Sequence, residues 1–379
     1  MTANLPRHVA IVGGGPGGLT LARILQIHGV EVTVYERETS RHARSQGGSL
    51  DLHEEYGQRA LREAGLEAEF LQIARPESQA FRIVDKHGDV LLNRTAVPGM
   101  MARPEVDRKA LRDMLLDSVR PETVRWDHQL AGLTPLAGGR YQLGFKNGQT
   151  AEADLVVGAD GGGSRVRPLL SDAKPIYTGV SFIATDIANA EQTQPEIARL
   201  VGGGRLFALA DGKGIFTALL GNGTIGGYIG LQVPEDWLAA SNISLDQPEQ
   251  ARAVLLDYFP DWNPSLTAII RHCDEPIVLY QIKMLPIEHR WENKPGVTLI
   301  GDAAHLMSNF AGLGVNLAML DALELALAIV QATDINAAVR GSEAAMFERA
   351  GKASATAIAN QNRCFSPDGA QQLAKVLSQ

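Results

Sequence analysis

Residues 8–36 show an order of apolar and glycine-rich segments that is typical of a βαβ unit. The apolar runs HVAIV (8–12) and VEVTVYE (30–36) are short and rich in β-branched residues, like parallel strands buried on both faces. Between them lie a glycine-rich turn (13–18) and an apolar helical segment (19–29) that ends at a glycine, the residue favoured after a helix. We therefore predict strand, turn, helix and strand with a right-handed crossover.

Further along the chain, the pattern predicts more strands and one amphipathic helix. Residues 80–100 alternate in strand fashion around a turn at 86–89, and Asn147-Gly148 is a hairpin signal that precedes another apolar strand. Residues 103–120 fit a helix whose apolar positions recur at helical spacing. These positions are Val106, Leu111, Met114, Leu115 and Val119.

Residues 176–231 change character, because short strands with glycine-containing turns replace the alternation of strand and helix. We interpret them as a mostly antiparallel sheet inserted into an α/β, Rossmann-like domain. The predicted first domain comprises residues 1–70, 101–172 and 275–322, and the second comprises 71–100 and 173–274. Residues 323–379 form a C-terminal helical segment, which we expect to pack against both domains, an oligomer interface being the alternative.

Composition narrows the class of protein. With 45% hydrophobic and 21% charged residues and a net charge of −8, the chain is typical of a globular protein and does not favour a nucleic-acid partner. The two cysteines have no metal-ligand spacing and are interpreted as structural thiols. The apolar segment 315–332 is interrupted by polar residues and predicts a buried helix rather than a membrane span. We expect a cytoplasmic monomer with no signal peptide and no metal site.

The turn at residues 13–18, GGGPGG, carries the first chemical signal. Gly13, Gly15 and Gly18 satisfy the pattern G-x-G-x-x-G, in which glycines permit the tight turn, approach to a pyrophosphate and close helix packing. Glu36, at the end of the second strand, is placed to accept both ribose hydroxyls of a dinucleotide. This leaves NAD, NADP or FAD, and Glu36 disfavours the 2′-phosphate of NADP.

Two later segments bear on the choice between NAD and FAD. Asp160-Gly161 ends another apolar strand, and the run TLIGDAAH (298–305) places Asp302 where it can bond a ribitol hydroxyl. Gly312 and Gly314 then let the backbone pass close to a flat ring at the start of a long helix, whose dipole favours negative charge on a reduced flavin. His305 is interpreted as a structural histidine.

Together these motifs resemble the group A flavin-dependent aromatic hydroxylases, the para-hydroxybenzoate hydroxylase class, over nearly the whole chain. Within that class the chain looks most like the TetX-type monooxygenases, which inactivate tetracyclines. The segments that carry the resemblance are YERETSRHARSQGGSLDLH (35–53), RPEVDRKALRDMLL (103–116), LIGDAAHLM (299–307) and GLGVN (312–316). The first predicted domain is thus an FAD-binding domain and the second a substrate domain.

The resemblance implies roles at matching positions. Arg44 matches an arginine assigned to the nicotinamide cofactor, Asp51 an aspartate near the flavin ring, and Arg205 a substrate-binding arginine. The residues that it assigns to binding FAD are Gly13, Gly15, Gly18, Glu36, Arg37, Arg108, Asp160, Asp302, Gly312, Gly314, Val315 and Asn316. For Arg41, a solvated surface position is the interpretation.

The chain departs from the family pattern at two places. The family usually has prolines after GDAAHLM, where this chain has Ser308-Asn309, and proline's backbone shapes the pocket over the flavin. In the substrate domain, the TetX type has a glutamine and a histidine where this chain is expected to have Ala184 and Gly226. The loss of these polar contacts weakens the match to tetracycline.

The resemblance also implies the chemistry. NADPH, bound transiently because the sequence has no second dinucleotide fingerprint, reduces FAD; dioxygen then gives a flavin C4a-hydroperoxide that hydroxylates an electron-rich phenol or enol. No catalytic side chain is required, because the cofactor carries the reaction. Two alternatives remain open at this point: a flavin-dependent dehydrogenase or oxidase, and a flavin-holding protein that sequesters an aromatic ligand.

Overall fold

The computed structural model describes residues 6, 8–43, 48–97, 99–241, 245, 247–274 and 276–378. Its strands are β1 (Val9–Val12), β2 (Val32–Tyr35), β3 (Ser49–Asp51), β4 (Phe81–Val84), β5 (Val90–Arg94), β6 (Glu105–Asp107), β7 (Val124–Arg125), β8 (Leu130–Pro135), β9 (Tyr141–Phe145), β10 (Thr150–Ala153), β11 (Leu155–Gly158), β12 (Ile176–Ile187), β13 (Arg205–Ala210), β14 (Lys213–Leu219), β15 (Ile225–Gln232), β16 (Val278–Met284) and β17 (Val297–Leu299).

The helices lie between strands in both domains, and after β17 they follow one another to the C-terminal end. They are α1 (Pro16–Ile27), α2 (Arg59–Glu63), α3 (Glu67–Ile73), α4 (Arg108–Ser118), α5 (Ala190–Thr193), α6 (Pro195–Val201), α7 (Trp237–Ala240), α8 (Pro248–Asp257), α9 (Pro264–Arg271), α10 (Asp302–His305), α11 (Gly314–Gln331), α12 (Ile335–Cys364) and α13 (Gly369–Leu377).

A parallel five-stranded sheet, in the order β17-β11-β1-β2-β7, forms the centre of the first domain. Its central strand β1 is buried along its whole length, which explains why its sequence is continuously apolar. Helices α1 and α11 pack against each other over this sheet. The predicted βαβ unit is therefore present, and the strand at 297–299 returns to this sheet as expected.

A seven-stranded sheet, in the order β16-β12-β15-β14-β13-β4-β5, forms the second domain. All its neighbours are antiparallel except β4 and β13, which run parallel. The predicted inserted antiparallel sheet is thus confirmed, with one boundary moved. Strand β16 pairs with β12, so residues 278–284 belong to this sheet and not to the first domain, which resumes after Met284.

The predicted helix over residues 103–120 is shorter than its periodicity suggested. It begins at Arg108, because residues 105–107 form β6 and pair antiparallel with β3. Val106 is fully buried from this strand, so its apolar character fitted either structure. Pairing with β3, a strand far away in the sequence, therefore overrode the local periodicity.

The C-terminal helices connect the two sheets. Helix α12 packs along α11, and α13 packs on β13, β4 and β5. Phe365, between these helices, lies in an apolar cluster with Phe182 and Phe216 of the seven-stranded sheet. The C-terminal segment therefore contacts both domains, as predicted.

Helix α11 is long and apolar enough to cross a membrane by length and composition, and 56% of its 18 residues are buried in the fold.

Candidate functional site

A cleft of about 730 Å³ runs from the carboxyl ends of the parallel strands to the seven-stranded sheet. Every described residue that the sequence assigned to a cofactor or substrate lines it, whereas Arg44 lies outside the described residues. The lining residues from the predicted set are Gly13, Gly15, Gly18, Glu36, Arg37, Asp51, Arg108, Asp160, Arg205, Asp302, Gly312, Gly314, Val315 and Asn316. Residues from distant parts of the chain are thus brought to one elongated site, as a dinucleotide requires.

The glycines of the turn after β1 differ in how much room a side chain would have. Gly13 has a φ of 109°, and a Cβ there would lie 2.4 Å from the carbonyl oxygen of Ala159. A Cβ on Gly18 would lie 2.2 Å from the carbonyl oxygen of Gly13. At Gly15, in contrast, a Cβ would meet no protein atom within 4 Å. Gly15 is therefore not required by packing, and the space beside it at the start of α1 fits the pyrophosphate of FAD.

Glu36 is buried at the end of β2 and faces this turn. Its Oε2 accepts a hydrogen bond from the backbone N–H of Gly14 at 2.7 Å, and its Oε1 accepts from the backbone N–H of Glu38 at 3.0 Å. These bonds fix the carboxylate and leave lone pairs on both oxygens for ribose hydroxyls. Arg37 is exposed at the rim of the same end of the cleft.

Arg112 is a cleft residue that the sequence reasoning missed. It lies one turn after Arg108 on α4, and its guanidinium donates to Glu38 Oε2 at 2.8 Å and to the carbonyl oxygen of Gly14 at 3.3 Å. The same guanidinium stands 5.6 Å from the centre of the Trp126 ring. The i, i+4 spacing from Arg108 was the available signal, since such residues share a helix face.

Arg41 is not simply a solvated side chain. Its guanidinium binds the carboxylates of Asp113 and Asp117 on α4 at 2.7 and 2.5 Å, and these bonds raise its pKa. Arg41 does not line the cleft, and its partly exposed side chain has a structural role: it connects the segment after β2 to α4.

Two aspartates face the middle of the cleft. Asp160 accepts a hydrogen bond from the backbone N–H of Arg165 at 2.7 Å through Oδ2, while its Oδ1 is buried with no partner among the described residues. Asp302 follows β17 at the start of α10. Burial raises the pKa of both carboxyl groups. A buried acceptor without a donor costs free energy, so Asp160 fits a hydroxyl group of an FAD chain, and Asp302 lines the same cleft.

The loop before α11 and the start of that helix close the far end of the cofactor region. Gly312 has a φ of 66° and precedes α11, whose positive dipole end points into the cleft at Gly314. The side chain of Asn316 is used within the protein. Its Oδ1 accepts from the backbone N–H of His53 at 2.8 Å, and its Nδ2 donates to the carbonyl oxygen of Asp51 at 2.9 Å. Asn316 thus holds the segment of Asp51 against α11.

Ser308 keeps the backbone conformation of the prolines that the family has here. Its φ of −56° and ψ of 140° lie in the range that proline adopts. The buried hydroxyl donates to Gln361 Oε1 on α12 at 2.8 Å, and Gln361 in turn donates to the carbonyl oxygen of Thr178 on the second sheet at 3.1 Å. A side-chain bond therefore supports a loop conformation that a proline ring imposes elsewhere.

His305 lies behind the cleft rather than on it. Its Nε2 is 2.5 Å from Asp321 Oδ2, and both side chains are buried. Burial alone would lower the pKa of His305, but the Asp321 carboxylate raises it; burial alone would raise the pKa of Asp321, but His305 and Arg349 hold it below its ordinary value. The histidine is structural, in agreement with the sequence interpretation.

The substrate end of the cleft joins the two domains. Arg205, at the start of β13, forms an ion pair with Glu105 of β6, and its Nη2 is 3.7 Å from Asp51 Oδ1. Tyr228 of β15 lines the cleft nearby and stacks on Phe182, with ring centres 5.2 Å apart. Neither Glu105 nor Tyr228 was singled out from the sequence.

Ala184 and Gly226, the positions expected to replace the glutamine and histidine of the TetX type, do not line the cleft. Ala184 is paired in register with Tyr228 on the neighbouring strand, and a Cβ on Gly226 would face Leu220 and Asp186. The expected correspondence to the glutamine and histidine stays a prediction, and in this chain the two positions contribute no side chain to the cleft. Because side chains alternate between the two faces of a strand, Tyr228 shares its face with Gly226, and the tyrosine ring is the group that reaches the cleft.

Among the described residues, no group of three or more His, Cys, Asp or Glu side chains is arranged to hold a metal ion. Cys273 and Cys364 are both buried and free, and burial raises the pKa of the Cys364 thiol to about 12. Both thiols are consequently poor nucleophiles at neutral pH and serve as apolar packing groups.

The sequence matches known proteins over most of its length. Residues 7–203 and 287–357 match the family described as the FAD binding domain. The chain is 31% identical to "Monooxygenase penA" of Penicillium thymicola, in an alignment covering 100% of both proteins.

Solved structures with the same fold include Klebsiella pneumoniae HpxO complexed with FAD and uric acid, with a TM-score of 0.82 and 21% identity over 98% of this chain and 92% of that one. They also include the tetracycline destructase Tet(55), with a TM-score of 0.77 and 20% identity over 100% of this chain and 95% of that one. At these identities the likeness concerns the fold alone.

Proposed function

The chain belongs to the FAD-binding family of the group A flavin-dependent monooxygenases, and we propose that it uses NAD(P)H and dioxygen to hydroxylate an electron-rich phenolic or enolic substrate. The observation that carries this proposal is the continuity of the cleft. It runs without interruption from the dinucleotide turn at Gly15 to the wall formed by Arg205 and Tyr228.

Each part of the cleft has a distinct task in this proposal. The turn at Gly15 and the carboxylate of Glu36 bind the ADP half of FAD, whereas Asp160 and Asp302 receive hydroxyl groups of its central chain. When bound and reduced, FAD supplies the chemistry that activates dioxygen for transfer of one oxygen atom. The start of α11 stabilises negative charge on the ring by its dipole.

The nicotinamide cofactor is proposed to act as a transient co-substrate, and NADPH is the form that the family resemblance implies. The chain has one dinucleotide fingerprint, at residues 13–18, and the FAD occupies it in this proposal. NADPH would supply the hydride that reduces FAD.

Tetracycline is one candidate substrate, because it presents enol and phenol groups and because TetX-type motifs are present in the sequence. Two observations count against tetracycline. The chain is expected to lack the glutamine and the histidine of the TetX type, and Tyr228, which is stacked on Phe182, lines the cleft at the substrate end. An aromatic wall favours a flat ring of smaller size equally well. We therefore treat tetracycline as a member of the substrate class to be tested beside simpler phenols.

The proposal is tested by measuring NADPH and NADH oxidation by the FAD-loaded protein, with tetracycline and with a panel of phenols, together with the mass of the recovered ligand. A substrate-dependent rate and a product heavier by one oxygen atom are expected. A product that lacks two hydrogens and gains no oxygen, formed without consumption of NADPH or NADH, would identify a dehydrogenase or oxidase that takes its electrons from the substrate. Tight ligand binding without stimulated oxidation would instead identify a sequestering protein.

A further inference from the structure

Two carboxylates face each other at the substrate end of the cleft. Asp51 of β3 is directly opposite Glu105 of β6 in the antiparallel pair, so both side chains leave the same face of this two-stranded ribbon. Like charges at such a position repel each other unless a cation lies between them. Glu105 is further fixed by Ser49, whose hydroxyl donates to Glu105 Oε2 at 2.6 Å.

Arg205 supplies that cation from the other domain. One nitrogen of its guanidinium, Nη2, binds Glu105 Oε1 and lies 3.7 Å from Asp51 Oδ1. The Arg205 side chain is 31% exposed and the Glu105 side chain 4%, so the pair is shielded on the carboxylate side and open on the cleft side. Burial raises the pKa of Glu105, while the charge of Arg205 opposes that rise; burial also acts to raise the pKa of Asp51, but His53 and Arg205 hold it below its ordinary value.

This arrangement determines which ligands Arg205 can receive. With both carboxylates ionised, the three side chains carry a formal charge of −1, and a carboxylate ligand would add a third negative group to one guanidinium. A neutral amide avoids this repulsion, because its carbonyl oxygen accepts from Arg205 while its N–H donates to a carboxylate. The charge pattern therefore matches a group that both donates and accepts.

The neighbouring wall suits an aromatic ring. Tyr228 is exposed to the cleft and is stacked nearly parallel on Phe182, with an angle of 18° between the rings. Phe310, from the loop before α11, contacts Phe182 edge-on at 5.6 Å between ring centres. A rigid aromatic surface of this kind binds flat ligands by stacking at low cost in conformational entropy.

We propose that the substrate end accepts a flat, uncharged aromatic molecule bearing an amide, a lactam or a similar donor–acceptor group, and that Glu105 excludes aromatic carboxylates by occupying Arg205. This inference rests on the proposed function, since it specifies the ligand of the same site. Glu105 acts through Arg205 and is a specificity-determining residue rather than a catalytic one.

The experiment titrates the FAD-loaded protein with salicylamide and with salicylate, and follows the flavin absorbance difference spectrum. The two probes share a ring and a hydroxyl group and differ in the amide or carboxylate. The wild type is expected to bind salicylamide at least about tenfold more tightly, a ratio that corresponds to about 1.4 kcal/mol. Glu105→Gln frees the charge of Arg205, so the ratio should fall at least about tenfold through tighter binding of salicylate.

Asp107→Asn is the matched control. Asp107 lies two residues from Glu105 in the same strand and binds Arg75 Nη2 at 2.5 Å, not Arg205. This variant therefore removes a nearby negative charge and leaves the Arg205 guanidinium bound to Glu105. Its ratio should equal that of the wild type, which distinguishes a specific effect of Glu105 from a general change in potential.

The outcomes separate the two proposals. If the FAD-loaded wild type binds both probes equally, prefers salicylate or binds neither, the inference on Glu105 is overturned. An unchanged ratio in Glu105→Gln, with FAD content and thermal unfolding like those of the wild type, would also overturn it. A purified protein that fails to bind FAD would instead overturn the proposed function itself. Glu105→Asp, which keeps the charge, should retain the preference for salicylamide.

Discussion

Asp321 Oδ2 accepts a hydrogen bond from the backbone N–H of Gly301 at 3.1 Å, immediately before the cleft residue Asp302. The same carboxylate binds His305 Nε2 at 2.5 Å and Arg349 Nη2 at 2.8 Å. One buried side chain of α11 therefore fixes the end of β17 from behind, and Arg349 of α12 balances its charge. The three side chains of this network do not line the cleft, yet they hold the backbone of Gly301, a cleft residue next to Asp302.

Asp321→Asn should weaken both the fold and the binding of FAD. The substitution keeps the shape but removes the charge that compensates His305 and Arg349, and removal of one partner from a buried ion pair typically costs about 3–5 kcal/mol. We expect the free energy of unfolding in urea to fall by about that amount and the FAD dissociation constant to rise. Glu324→Gln, on the same helix and in contact with Arg349 at 2.9 Å, is the control.

Glu324 is half-buried, and its loss should cost less than about 1 kcal/mol, because partly exposed ion pairs contribute little. Equal stability of Asp321→Asn and the wild type would contradict the role given to this network. If both variants lost a similar amount of stability, the charge balance of Arg349, rather than the contacts of Asp321, would determine the stability of this network.

The pair of His305 and Asp321 also predicts how stability varies with pH. The pKa of His305 is raised, so its contribution is present below the pKa of an unfolded histidine, about 6.5, and is lost as the pH rises through the higher folded value. The pKa of Asp321 is lowered, so its contribution is present above about pH 3.9 and is lost as the pH falls through the folded value. The pair is thus most stabilising between about pH 4 and pH 6.5.

We therefore expect His305→Gln to destabilise the protein more at about pH 5.5 than at about pH 9, as measured by urea unfolding against the wild type at each pH. Asp302 and His289 also act electrostatically on this group and are unchanged in the comparison. His87→Gln, at an exposed turn, provides the control. The difference in the free energy of unfolding between this variant and the wild type should be the same at the two pH values. A larger effect of His305→Gln at high pH would contradict the charged pair.

The parts of the fold that depend on local sequence pattern could be predicted from the sequence. The βαβ unit around Gly15, the hairpin at Asn147-Gly148 and the long apolar helix after Gly312 each combine a periodicity with a turn signal, and all three are present. The cleft residues known from motifs were predictable for the same reason, because those motifs encode backbone geometry at strand ends.

Interactions between distant segments were not predictable. The strand at Glu105 forms only because β3 pairs with it, and the ion pair of Glu105 with Arg205 joins residues 100 positions apart. Tyr228 reaches the cleft because of its register on β15, which no motif marks. In each case a tertiary contact, rather than local propensity, selected the outcome.

Gly15 permits a test of FAD binding that is separate from folding. Its φ of −81° and ψ of 177° are allowed for alanine, and a Cβ there meets no protein atom within 4 Å. Gly15→Ala should therefore change the free energy of unfolding of the FAD-free protein by less than about 1 kcal/mol. Because the methyl group would occupy the space assigned to the pyrophosphate, the FAD dissociation constant should rise at least about tenfold.

Gly18→Ala is the contrasting variant, since its Cβ would lie 2.2 Å from the Gly13 carbonyl oxygen. It should lose stability even without FAD, as seen by urea unfolding of the FAD-free protein. If Gly15→Ala bound FAD as the wild type does, by fluorescence titration, the pyrophosphate would have to lie elsewhere in the cleft.

Ser308 provides the last prediction, because its backbone already has the conformation that proline requires. Within the described residues, its backbone N–H donates no hydrogen bond, so Ser308→Pro removes only the bond of its hydroxyl to Gln361. That loss should cost about 1 kcal/mol, whereas the restricted unfolded chain returns about 0.4–1 kcal/mol. Ser308→Ala loses the same bond without that gain, so it should be the less stable of the two in urea unfolding. A proline variant less stable than the alanine variant would show that the proline ring does not fit this loop, which would contradict the match of the backbone at Ser308 to a proline conformation.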